Sequence, residues 1–245
     1  MHTFHAALLA AHIAVGTVAI FVFWLPIFTR KGSPIHVKAG RIYAWTMYAV
    51  SATAIVMSTA VLLDPVGVRF PDRNLEMSRA FAVAEGNRMF ALFLLMLGIL
   101  VLSALRHGLL ALRERRGERV LNRPGHRALL ISLGVLGVAV GIVGFQNEEI
   151  LLMVFAALSI SGSIGMLRES WQRKLTPREA LIAHFNGLIG TGIGAYTALF
   201  AFGGREFLSS LLSGQWQVIP WITPAIVGTI IVARMKRQYP ERSPA

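Results

Sequence analysis

Seven stretches of the chain are apolar over close to the length that crosses a bilayer, about 20 residues. They run at about 4 to 28, 37 to 63, 81 to 105, 127 to 146, 149 to 167, 179 to 202 and 217 to 235. The predicted architecture is all-α, a polytopic integral membrane bundle of seven transmembrane helices. No segment is left over for a sizeable soluble domain, so residues 1 to 236 form one transmembrane domain and 237 to 245 a cytoplasmic tail. The first stretch has no cationic segment before it and no small-residue cleavage site near Trp24 to Phe28. It is therefore expected to stay as a span rather than to be removed as a signal peptide.

Composition agrees: 55% of the 245 residues are hydrophobic and 15% charged, against about 25% charged in an ordinary soluble domain. There is no cysteine, which removes disulfides, thiolate metal sites and cysteine nucleophiles.

Charge then orients the bundle, because Lys and Arg in short loops stay cytoplasmic. Nineteen of the 24 Lys and Arg residues fall in four segments on one side: Arg30 to Arg41, Arg106 to Arg127, Arg168 to Arg178 and Arg234 to Arg242. With five acids in or next to them, that side carries +14 and the other −2. The N-terminus is expected outside and the C-terminus in the cytoplasm. The same partition answers the isoelectric point near 11.3. A nucleic-acid binder gathers its cations on a docking surface, whereas here they sit in loops between spans, so nucleic acid is not an expected partner. The lipid bilayer is. The run ALRERRGERVLNRPGHR, Ala111 to Arg127, reads first as a topology determinant, and second as an attractor of anionic lipid headgroups.

Glycine patterns point to packing rather than to a ligand. GLIGTGIGAY, Gly187 to Tyr196, has the look of a phosphate loop but lies inside a predicted span. Gly190 with Gly194, and the face formed by Gly134, Gly137, Gly141 and Gly144, are small-residue surfaces suited to close helix contact. They also suit contact with other membrane proteins.

The chemistry-bearing residues are the polar ones in or beside the spans, since an ionisable group there is expensive and normally faces a cavity or a partner. His5 lies near the outer surface and His12 about two turns deeper on the same face. Together with Glu85 they make a candidate divalent-metal group, imidazole and carboxylate being suitable ligands. At the cytoplasmic ends of four spans stand His36, His107, His126 and His184. These offer ligands for a single haem b or a quinone headgroup. His36 and His184 are preferred, with Tyr43 beside them and Arg41 to pair a propionate. The competing account of His107 and His126 is that they belong to the basic loop.

The order His12-xxx-Gly16, then RKGSPIHVKAGRIYAW, then HFNGLIGTGIGAYTALF resembles domain of unknown function family 2306, predicted polytopic bacterial membrane proteins. The motif His36-xxx-Gly40-Arg41-x-Tyr43 carries most of that resemblance. It implies a multi-spanning fold in the bacterial cytoplasmic membrane and brings no activity with it. A looser similarity to membrane b-type cytochromes rests on the histidines alone. Three classes of function follow: a cofactor-binding or redox protein using the cytoplasmic-side histidines, a transporter or channel for a small solute or protons, and an accessory subunit of a membrane complex. No catalytic triad, paired acid and base carboxylates or phosphate loop occurs at usable spacing, so neither an enzymatic reaction nor its absence is indicated.

Overall fold

The computed structural model describes residues 2–70, 76–172, 174–204, 212, 216 and 219–239. Among them the elements are helical throughout: α1 (His2–Phe28), α2 (Pro34–Leu63), the short α3 (Pro65–Arg69), α4 (Met77–Arg115), α5 (Pro124–Gln146), α6 (Ile150–Trp171), α7 (Pro177–Ala198) and a last helix, α8 (Ile219–Gln238). Leu199–Gly203 continues α7 as a π-helical turn.

Helix starts follow local chemistry. Proline stands in the first turn of α2, α3, α5 and α7, where a missing N–H leaves nothing unpaired. Ser33 caps α2 by accepting from the His36 amide at 3.2 Å. Thr176 and Glu179 form a reciprocal capping box on α7. Gly117, at φ +93°, turns the chain out of α4 in a backbone conformation that a side chain would strain.

Five helices, α1, α2, α4, α5 and α6, are long and apolar enough to cross a membrane. The predicted sixth and seventh spans correspond to α7 and α8, which fall outside those five. In α7 the first three turns hold Arg178, Glu179, His184 and Asn186, and α8 ends on Arg234, Lys236 and Arg237, so the apolar stretch of each is short. The start predicted for the seventh span, at residue 217, lies outside the described residues. The predicted third span was too short: α4 runs unbroken for 39 residues, about 58 Å.

That long helix is the hub. It packs on α2, α5 and α7, while α1 pairs with α2, α5 with α6, and α7 with α8. Glycine sets the closest crossings. A methyl on Gly187 would come 2.9 Å from Gly108 Cα, so α4 and α7 touch backbone to backbone. On α5, Gly134, Gly137, Gly141 and Gly144 all face α6, at Ser163, Ile160, Ala156 and Leu152. The expected Gly190 and Gly194 pair makes no such crossing: Gly190 has open space around it, and Gly194 meets only Val101 at van der Waals distance. Gly192 instead receives the ring of Phe23.

The contrast gives a direct test. Gly187→Ala is expected to destabilise by about 1–3 kcal/mol, because overpacking a rigid backbone contact outweighs the helix propensity gained. Gly190→Ala should be neutral or stabilise by up to about 1 kcal/mol. Thermal unfolding of the two variants in detergent measures the difference.

Candidate functional site

The loop after α1 binds back onto that helix. Pro26 and Ile27 lie in the last turn of α1, where carbonyls lack intrahelical partners. Lys31 Nζ donates to the Pro26 carbonyl at 2.9 Å and to that of Ile27 at 2.7 Å. Partial burial pushes the Lys31 ammonium below the ordinary lysine range. His36 Nδ1 reaches the same Pro26 carbonyl at 3.0 Å. A carbonyl can only accept, so the proton of neutral His36 is on Nδ1.

His184 repeats that arrangement on α7. Its Nδ1 donates to the Gly108 carbonyl of α4 at 3.1 Å, next to the glycine crossing that brings the two backbones together. His36 and His184 are near enough to sense each other's charge. Two turns deeper, the Tyr43 hydroxyl donates at 2.8 Å to Thr191, whose own hydroxyl is spent on the Leu188 carbonyl. The structure thus brings His36, Tyr43 and His184 to one side of α2. Arg41 is not with them. Two residues from Tyr43 it stands about 200° round the helix, and it is exposed.

These residues do not make a haem cradle. The space between α1, α2, α4 and α7 beyond them is filled by Phe23, Tyr43, Ala44, Met47 and Leu105.

His107 and His126 are not loop residues. Both are buried, at 2% and 0% exposure, and their rings stack at 5.3 Å. His107 Nδ1 lies 3.1 Å from His126 Nε2, and His107 Nε2 lies 2.7 Å from Glu169 Oε2 on α6. The Glu169 side chain is 34% exposed. The far atom of the chain, His126 Nδ1, is buried with no partner. With Glu169 ionised, the carboxylate must accept from His107 Nε2–H. Neutral His107 then has a lone pair on Nδ1, which accepts from His126 Nε2–H, and His126 Nδ1 is left a buried base. Proton positions thus follow in sequence from the one exposed group.

Around this chain the basic loop is ordered rather than trailing. The buried carboxylate of Glu114 accepts from the amides of Val120 and Leu121 at 2.7 and 2.8 Å. Those two side chains pack with Leu110, Leu175 and Ala180. Arg127 donates to the Ser170 carbonyl at 2.8 Å, tying α5 to the end of α6. Four histidines from four helices therefore gather at the basic end: His126 touches His107, His184 bonds the residue after His107, and His36 bonds the end of α1.

The outer metal group is not assembled. His12 Nδ1 donates to Thr53 at 2.8 Å, the Thr53 hydroxyl being spent on the Ala49 carbonyl. His5 is buried near a cation, Arg69, and Glu85 is exposed. Among the described residues, no three His, Cys, Asp or Glu side chains converge where an ion could sit.

No family model matches the chain, and no curated protein or solved structure does either. The resemblance to family 2306 rests on its quoted motifs alone, and that to b-type cytochromes on the histidines alone. The apolar helices fit a multi-pass membrane protein.

The histidine bonds predict opposite tautomers. In ¹⁵N NMR of histidine-labelled protein held at a pH where the rings are neutral, His36 and His184 are expected as Nδ1–H and His107 and His126 as Nε2–H. A His126 signal protonated at Nδ1 would contradict the order derived above.

Proposed function

We propose that this is a seven-span membrane protein, N-terminus outside and C-terminus in the cytoplasm, that passes protons through the bundle of α4, α5 and α6. The observation that carries this reading is the hydrogen-bonded chain from half-exposed Glu169 through buried His107 to the unpartnered Nδ1 of His126. A proton taken up at His126 Nδ1 releases the Nε2 proton to His107 Nδ1, and His107 releases its own Nε2 proton to Glu169. The proton leaves to solvent from Glu169, and both imidazoles then return to the Nε2–H form by ring reorientation before the next transfer. Arg127 follows His126 in the chain and Arg106 precedes His107, so positive charge on this pair meets like charge.

Depth supports the placement. Between Arg88 and Arg106, α4 carries no charge, which is about 27 Å of helix against a hydrocarbon core of about 30 Å. The relay then stands at the cytoplasmic edge of the core. Deeper on the same helices lie Ser103 and Ser159, buried hydroxyls that also lack partners. Ser103 is one turn from His107, and Ser159 is about 15 Å along α6 from Glu169. A buried polar group without a partner calls for a water or a passing solute. Four such atoms occur among the described residues, on Ser103, His126, Arg127 and Ser159, and all belong to α4, α5 or α6.

The cofactor reading at His36 and His184 has one supporting feature. Anchoring each Nδ1 on a carbonyl leaves Nε2 as the lone-pair atom, the arrangement in which histidines ligate metals. The filled space beside them argues for a ligand smaller than haem. In the same topology the basic loops meet anionic headgroups of the cytoplasmic leaflet, in a bacterial cytoplasmic membrane.

Two experiments test this. Glu169→Gln keeps an acceptor oxygen for His107 but takes up no proton, so its melting temperature should stay near that of the unmodified protein. Its proton flux into liposomes, read with an internal pH dye under an imposed potential, should fall at least tenfold, and an unchanged flux would sink the relay. Because the chain has no cysteine, single cysteines report topology cleanly. Glu149→Cys should react with an impermeant maleimide added outside cells, and Arg119→Cys only after the membrane is opened; the reverse pattern inverts the orientation.

A further inference from the structure

Among the described residues, none covers one face of α2. Trp45, Tyr48, Ala52, Ile55 and Val56, with Leu102 of α4, line an apolar groove of about 680 Å³ between the two helices. Its deep end closes where Gly98 lets Ile55 rest on the α4 backbone, a methyl there coming 3.0 Å from Ile55 Cγ1. Its other end opens at Trp45, which is 70% exposed and lies 6.2 Å from Tyr48, ring centre to ring centre. Small Ala52 leaves the width, and Ile55 supplies the floor.

Charge is confined to the open end. Arg41 and Lys38 stand four and seven residues before Trp45, one and two turns along the same stripe of α2, and both are exposed. Arg106 stands one turn beyond Leu102 on α4, against the Tyr48 hydroxyl. No Asp or Glu lies on either helix between Lys38 and Leu63 or between Arg88 and Ala111. The feature is thus a trough with three cations at its mouth, two amphipathic rings at the boundary and an apolar channel beyond. From Trp45 to Ile55 is about 15 Å of helix, half of a hydrocarbon core of about 30 Å.

We infer that this groove is a binding site for one anionic phospholipid of the cytoplasmic leaflet, its phosphate held by Lys38, Arg41 and Arg106 and one acyl chain laid between α2 and α4. The aromatic pair sits at the level of the glycerol, where Trp and Tyr concentrate. A neutral lipid fills the same trough without satisfying the cations, so headgroup charge decides the preference. The site also gives Arg41 a role that its position opposite Tyr43 denies it beside the histidines. The leaflet rests on the topology proposed above, which the cysteine labelling tests separately; lipid preference in detergent does not depend on it.

The test is native mass spectrometry of the detergent-purified protein with phosphatidylglycerol or phosphatidylcholine of identical chains. The unmodified protein should retain one phosphatidylglycerol at least tenfold more strongly than phosphatidylcholine. The combined variant Lys38→Gln, Arg41→Gln and Arg106→Gln should lose that preference, and Ala52→Trp, which fills the trough, should lose retention of both lipids. Neutralising Arg115 and Arg119 in the basic loop should change neither. If the loop variant abolishes the preference and the groove variants do not, the headgroups are gathered by the loop and the inference fails. A measurement on unmodified protein covers poor folding of the variants. The part of the fluorescence lost in Trp45→Phe should be quenched more by chain-brominated phosphatidylglycerol than by the brominated phosphatidylcholine, and equal quenching overturns the site.

Discussion

A polar group surrounded by apolar side chains has to find a hydrogen-bond partner, and leaving it unpaired costs about 1–3 kcal/mol. In a bundle this apolar, that demand decides which helices touch. His12 reaches across to Thr53 and ties α1 to α2. Tyr43 reaches Thr191 and ties α2 to α7. Trp24 donates to the Tyr196 hydroxyl, which donates in turn to the Ile20 carbonyl, so α1 is also tied to α7. Glycine makes a further bond reachable: the backbone contact of Gly108 with Gly187 places the His184 ring against a main-chain carbonyl of α4.

The same demand separates the two histidine pairs. His36 and His184 donate to carbonyls, which cannot pass a proton on, and so these rings act as struts with one nitrogen left over. His107 and His126 bond to each other and to a carboxylate, groups that both give and take protons. Spacing along the chain treats all four alike. The identity of the partner atom is what makes one pair an anchor and gives the other the hydrogen-bonded chain on which the proposed relay rests.

Much of this was open to reading in advance. The spans of α1, α2, α5 and α6 were placed within a few residues, because an apolar run of bilayer length has few other uses. The glycine face of α5 was recognised with its purpose, since four glycines at helical spacing leave a smooth surface that only another helix fills. Helical geometry alone carries two further features. Arg41 and Tyr43 are two positions apart and cannot share a face. Ser103, His107 and Glu114 recur at intervals of four and seven, as do Ser159, Ser163 and Ser170, which marks a buried polar stripe on each of α4 and α6.

The sequence by itself determined the helices, the class of protein and the concentration of cations at one end, because these depend on local composition and period. It also brought four histidines to that end, since each stands near a predictable helix terminus. Only the tertiary structure decided that Glu169 is the partner of His107, 62 positions away. It likewise decided that Gly187 rather than Gly190 is the crossing, and that a trough lies open between α2 and α4. Each of these depends on the rotation and depth of one helix against another. Those are set by many small contacts summed over the whole interface, and no short stretch of sequence contains that sum.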